Sequence, residues 1–173
     1  MGRVRRVFVG VIGIAALAAP LEVRAQDATA EMIDAKGSPV GTAELNQLAE
    51  GVQILLTLSD LPAGDHALHI HETGACEPPF ESAGGHFNPT DAGHGWDNPQ
   101  GPHAGDLPNI HVGQGELQLE YLTDKVTLED GETSLFDDDG SAIVIHEGQD
   151  DYVTDPAGDA GIRLACGVIE KSG

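Results

Sequence analysis

Positive charge is scarce in this chain. Of 173 residues only 8 are Lys or Arg, against 29 Asp or Glu, a formal charge of −21. Nucleic-acid binders neutralise phosphates with a basic face, so that class is excluded, and an anionic membrane surface is a poor partner for the same reason. Aromatics make up only 4%, which leaves the core to Val, Ile, Leu and Ala. No apolar run is long enough for a membrane helix, which takes about 20 residues; the longest, Val7–Ala19, has 13. Cysteine is limited to Cys76 and Cys166, neither in a C-x-x-C pair, and this disfavours a thiolate metal centre. What the chain has in excess is turn formers and one imidazole-bearing residue. Its 23 Gly and 10 Pro are about 19% of the residues, against an average near 12%, and it carries eight His. The length fits one domain.

Residues 1–25 have the layout of a secretory signal peptide. Arg3, Arg5 and Arg6 form a basic start, Val7–Ala19 the apolar stretch, and Val23-Arg24-Ala25 a site with small Ala at the cut. The expected mature domain is 26–173, with four cations (Lys36, Lys125, Arg163 and Lys171) against 28 acids, a formal −24. Export places it in a bacterial periplasm or outside the cell, with no membrane contact in the mature form. In such an oxidising compartment two cysteines are expected to pair. A Cys76–Cys166 bridge would tie the central loop to the last strand.

The mature chain reads as all-β. Strands are expected at Ala28–Asp34, Val40–Leu48, Gly51–Ser59, His66–His71, Leu107–Val112, Glu116–Thr123, Ala142–His146 and Arg163–Ile169, separated by Gly- and Pro-containing turns. Eight short strands at this spacing predict a Greek-key barrel or sandwich. Residues 72–106, with seven Gly and five Pro, form a long irregular loop, and loops of that length usually carry function. The acidic runs Glu129–Glu132 and Asp137–Gly140 lack the alternating spacing of a calcium loop and read as solvated turns.

Seven of the eight histidines lie within residues 66–111. On a strand, His69 and His71 point to one face, so the two imidazoles are placed to chelate one ion, with His146 a candidate third ligand from another strand. His86, His94, His103 and Asp106 offer three imidazoles and a carboxylate, a closed tetrahedral set of the kind zinc takes. Two groups so close in sequence predict a dinuclear site with one imidazole shared. His66 is expected to be a structural hydrogen-bonding side chain and His111 a surface one.

The segments GDHALHIHETGAC (64–76), GGHFNP (84–89), HAGDLPN (103–109), VIHEGQDD (144–151) and GDAGIRLACGVI (158–169) resemble copper/zinc superoxide dismutases over residues 28–170. The resemblance implies a Greek-key barrel with long metal-binding and active-site loops and dismutation of superoxide to oxygen and hydrogen peroxide. Copper would be bound by His69, His71, His86 and His146, and zinc by His86, His94, His103 and Asp106, with His86 bridging. It further implies the Cys76–Cys166 disulfide, Arg163 as the anion-binding catalytic residue alongside His86, and Asp150 as the carboxylate orienting a copper and a zinc histidine. Asp151 is a competing candidate for that last role. A homodimer is compatible with the resemblance, and the sequence alone leaves the oligomeric state open. The alternative function is a non-enzymatic periplasmic copper- or zinc-buffering protein, which has no need of an anion site such as Arg163. The segment 147–162 is short and acidic and has no lysine, so long-range attraction of an anion is expected to be weak.

Overall fold

The computed structural model describes residues 26–173; the expected signal peptide, 1–25, lies outside the described residues. Ten strands are present: β1 (Ala28–Asp34), β2 (Pro39–Leu48), β3 (Gly51–Leu58), β4 (Gly64–His66), β5 (Leu68–His71), β6 (Ile110–Val112), β7 (Leu117–Thr123), β8 (Ala142–His146), β9 (Arg163–Val168) and β10 (Glu170–Lys171). The eight expected strands are all there. The expected strand His66–His71 divides at Ala67, and β10 is an addition. A single 3-10 turn, Glu81–Ala83, interrupts the loop that was expected to be irregular throughout.

The main sheet runs β5-β8-β9-β1-β2-β3-β7, with β10 added on β1, and β4 pairs separately with β6. Because β4 leads into β5 and β6 leads into β7, this small ribbon joins the two ends of the sheet and curls it toward a barrel. The division at Ala67 marks the change of partner. Up to His66 the chain pairs with Ile110 of β6, and from Leu68 it pairs with Ile145 of β8. At the crossing, Ala67 N–H donates to Gly148 O (2.7 Å) and His146 N–H to Ala67 O (3.0 Å).

Strand β3 alternates between buried and half-buried residues along its whole length, as a strand with one core face must. Its inward Val52, Ile54, Leu56 and Leu58 pack with Leu45, Met32, Leu68, Ile70, Ile143 and Ile145 in the main core. Strands β5 and β8 differ, being buried at every position. Their inner face meets the core and their outer face is covered by the long loop. A second, smaller cluster of Phe80, Ala83, Ala142, Val144 and Cys166 fills that outer side, with Cys76 packed against it. The Cys76–Cys166 disulfide is formed across a sequence separation of 90. Closing a loop of that size contributes about 4–5 kcal/mol in the chain-entropy account. The loop is thereby fastened to the sheet beside the histidines.

Candidate metal centre

Strand β5 is the last strand of the main sheet, and the loop covers its free edge. Two isolated bridges, His69 with Asp106 and His71 with His86, continue the antiparallel pattern onto the loop. A closed ring of three backbone hydrogen bonds underlies this. Ile70 N–H donates to Gly105 O, Gly105 N–H to Phe87 O, and Phe87 N–H to Ile70 O, each at 2.8 Å. Ile70 lies between His69 and His71, Phe87 follows His86, and Gly105 precedes Asp106. Only glycine fits at the centre, because a Cβ on residue 105 would stand 2.2 Å from Ile70 O.

Two groups of side chains converge there, His69, His71, His86 and His146 in one, and His86, His94, His103 and Asp106 in the other, with ligand atoms in each within 4.8 Å of one another. All seven residues are at most 7% exposed. His146 comes from β8, the immediate neighbour of β5. A register shift between Ile145 and His146 sets His146 opposite Arg163 of β9, a re-aiming of side chains that bulges commonly perform.

Hydrogen-bond partners assign the free nitrogen of each ring. In the first group His71 Nδ1 donates to Gly84 O (3.0 Å), His146 Nδ1 to Gly161 O (3.3 Å), and His69 Nε2 to Asp150 Oδ2 (2.9 Å). The opposite nitrogens therefore carry lone pairs. His71 Nε2 and His146 Nε2 face one another at 3.4 Å. His69 Nδ1 and His86 Nε2 are buried without a hydrogen-bond partner among the described residues. Four mutually facing lone pairs on buried rings are costly unless a cation lies between them, and an all-imidazole set suits copper.

In the second group Asp106 Oδ1 lies 2.8 Å from His86 Nδ1, 3.2 Å from His94 Nδ1 and 3.3 Å from His103 Nδ1; His103 Nδ1 and His86 Nδ1 are 3.4 Å apart. A tetrahedron with metal–ligand bonds of 2.0–2.1 Å has edges of about 3.3–3.4 Å, so the set has the size of a zinc site. His86 offers one ring nitrogen to each group.

The electrostatics separate the two groups. Burial, with the neighbouring imidazoles and Arg163, holds His71 well below the ordinary histidine range. Burial likewise lowers His146 to about 3, reinforced by His69 and His86, and His86 to about 4, which outweighs the opposing effect of Asp106. These rings are neutral at pH 7. For His94 burial acts in the same direction, but the carboxylates of Asp106 and Asp150 prevail and raise it to about 9. Burial opposes ionisation of Asp106, yet hydrogen bonds from His103, His86, His94 and Gly95 N–H hold its carboxyl far below the usual range.

Asp150 is buried and joins the two groups, receiving His69 on Oδ2 and His94 on Oδ1, both at 2.9 Å. Asp151, its rival from sequence, is exposed and caps the next turn, accepting from Thr154 N–H (2.8 Å). The ring nitrogens of His66 lie 2.8 Å from His146 O and 2.8 Å from Pro62 O, so it braces the backbone at the end of β8. His111 is on the surface, 2.7 Å from Asp65.

A cleft of about 410 Å³ opens on the first group, lined by His71, His86, His146, Arg163, Glu72 and Asp91 among others. Arg163 donates to Phe80 O and, at 2.7 Å, to Gly84 O. The Gly84 carbonyl also receives His71 Nδ1, which pins the guanidinium beside a histidine of the first group. Several contributors were not singled out from sequence. Gly105 and the Phe80 and Gly84 carbonyls act through the main chain, which leaves no residue-type signature. Asn109 stood within an expected strand, although it holds Asp150 from outside β6, donating to Asp150 O and accepting from Asp150 N–H at 2.8 Å each.

A curled Greek-key sheet whose edge strand and loop bring together two histidine-rich groups with His86 in common defines a class, proteins built to hold two metal ions side by side. Within that class the chain belongs to the copper/zinc superoxide dismutase family, whose family model matches residues 40–169. It is 52% identical over 145 residues to Cu-Zn superoxide dismutase 1 of Aquifex aeolicus, covering 82% of this chain and 86% of that protein. Identity to the Cu-Zn superoxide dismutase of Deinococcus radiodurans is 40% over 156 residues, 82% of each chain. The crystal structure of a superoxide dismutase-like protein from Bacillus subtilis superposes with a TM-score of 0.78 at 40% identity, over 81% of this chain and 96% of that one.

Proposed function

We propose that this chain dismutates superoxide to oxygen and hydrogen peroxide, with copper held by His69, His71, His86 and His146 and zinc by His86, His94, His103 and Asp106. One observation carries the reading: the His86 ring stands between an all-imidazole set of facing lone pairs and an N₃O set of tetrahedral size. One-electron cycling between two oxidation states is the chemistry that copper supplies when bound, and zinc in a closed site fixes geometry.

The residues of the chain do the rest. Arg163, held by two carbonyls at the cleft, presents a charged, forked donor to a small anion. His86 Nε2, buried and without another partner, would hold a proton only when its lone pair is released from copper, and would then be placed to pass it to the reduced product. Asp150 and His66 orient the ligands, as carboxylates and carbonyls behind metal-binding histidines do. A metal buffer, the alternative function, has no use for Arg163 at the cleft, and no observation favours it. Removal of residues 1–25, export to a periplasm or the extracellular space, and assembly as a homodimer complete the proposal. The signal-peptide layout of residues 1–25 and the formed disulfide support the export.

Metal content and activity of purified 26–173 test the proposal together. His146→Ala is expected to abolish dismutation while zinc stays bound, and full activity in that variant would sink the copper assignment. Arg163→Ala is expected to weaken activity and azide binding with both metals retained; unchanged kinetics would make Arg163 a bystander.

A further inference from the structure

We infer that Tyr152 and Asn109 are positioning residues for Asp150, and that through it they set how tightly the His94 ring is held. The inference rests on reading His86, His94, His103 and Asp106 as the zinc set. The side-chain amide of Asn109 pairs with both main-chain groups of Asp150, at 2.8 Å each. Asn109 is in turn fixed by Tyr152, whose hydroxyl accepts from Asn109 N–H at 2.7 Å. The same tyrosine closes the circuit from the other side, donating its N–H to Asp150 Oδ1 at 2.6 Å. That oxygen is the one that receives His94 Nε2. Tyr152 O also accepts from Asp97 N–H at 3.0 Å, three residues beyond His94. The backbone of Tyr152 lies at φ 62°, a region disfavoured for a residue with a side chain. These contacts hold it there.

Asp150 is thus held by the Asn109 amide on its main chain and by the Tyr152 N–H on its carboxylate, with the Tyr152 hydroxyl fixing Asn109. The geometry also offers a reporter. Trp96, the only tryptophan, lines a surface hollow of about 160 Å³ with Pro108 and Tyr152, and it is 48% exposed. A shift of Tyr152 changes its surroundings directly.

The test uses metal-loaded protein and follows zinc transfer to a chromogenic chelator. Partners behind metal-ligating histidines typically hold ~10–100-fold in metal affinity. Asn109→Ala is expected to release zinc at least about tenfold faster, and Tyr152→Phe, one contact further out, about three- to tenfold faster. His111→Gln is the control, since the exposed His111 ring is paired with Asp65 at 2.7 Å on the surface; it is expected to release zinc at the wild-type rate. Trp96 emission is expected to shift on zinc removal in the wild type and less in Tyr152→Phe. A wild-type release rate in Tyr152→Phe overturns the inference, and so does equal acceleration in His111→Gln, which would mean general loosening. Failure of the unmodified protein to bind zinc would instead overturn the reading of the zinc set.

Discussion

Replacing Asp150 by Asn keeps the shape of the side chain and removes its charge. The two carboxylate oxygens each receive an imidazole N–H at 2.9 Å, from His69 and from His94, in a site with no exposure at either partner. A hydrogen bond to a charged acceptor contributes about 1.5–3 kcal/mol, and an amide can accept from only one of the two rings. The ring that loses its acceptor costs about 1.4–2.7 kcal/mol of metal binding, the ~10–100-fold typical of such partners. The zinc set is expected to suffer more. His69 lies on β5, paired to β8 and tied to the loop through Ile70. His94 lies on an irregular segment, held there by Asp155, which accepts from His94 N–H at 2.7 Å, and by Asp106. Its orientation therefore depends more on Asp150. Competition titrations with a chelator, with both metals quantified by atomic emission, should show zinc affinity falling by that factor and copper affinity by less. Copper loss equal to or greater than zinc loss would refute the reasoning.

Zinc uptake by metal-free protein should release a proton near pH 7, because His94, raised to about 9, must surrender it from Nδ1. Zinc affinity should therefore climb about tenfold per pH unit from 7 to 9; calorimetry in buffers of different ionisation enthalpy reads the proton released. The sign for stability runs the other way: the raised His94 stabilises the metal-free fold fully below about pH 6.5, and this is lost as pH rises through about 9. The dismutation rate should rise with ionic strength, since salt screens the repulsion between superoxide and a chain of formal charge −24, and a steep fall with salt would contradict that. Glu72→Gln, in the lining of the cleft that Arg163 also lines, should raise the rate at low salt about two- to threefold and flatten the salt dependence.

Much of this was legible before any coordinates. The alternation in HALHIH announced a strand with two imidazoles, and the spacing of His86, His94, His103 and Asp106 announced a closed set. The all-β pattern followed from short β-branched runs between Gly and Pro. What stayed hidden was carried by the main chain or by long-range register. Asp150 and Asp151 are chemically identical in sequence, and only burial separates them. Nothing in Leu107–Val112 marks Asn109 as the residue that grips the opposite loop. The division at Ala67 arises from an exchange of partner strands, which a single segment does not encode.

The ring of hydrogen bonds through Ile70, Phe87 and Gly105 has a kinetic meaning as well. Three ligand-bearing segments are locked amide to carbonyl at a point where no side chain intervenes, so the scaffold of the cage is spun from peptide groups. Such a frame takes its shape when the chain folds, and ion uptake becomes insertion into a seat already cut. Loading should then be limited by delivery of the ion and by proton release at His94, and hardly at all by rearrangement of the cage. Hydrogen exchange at those three amides should be equally slow before and after metal arrives.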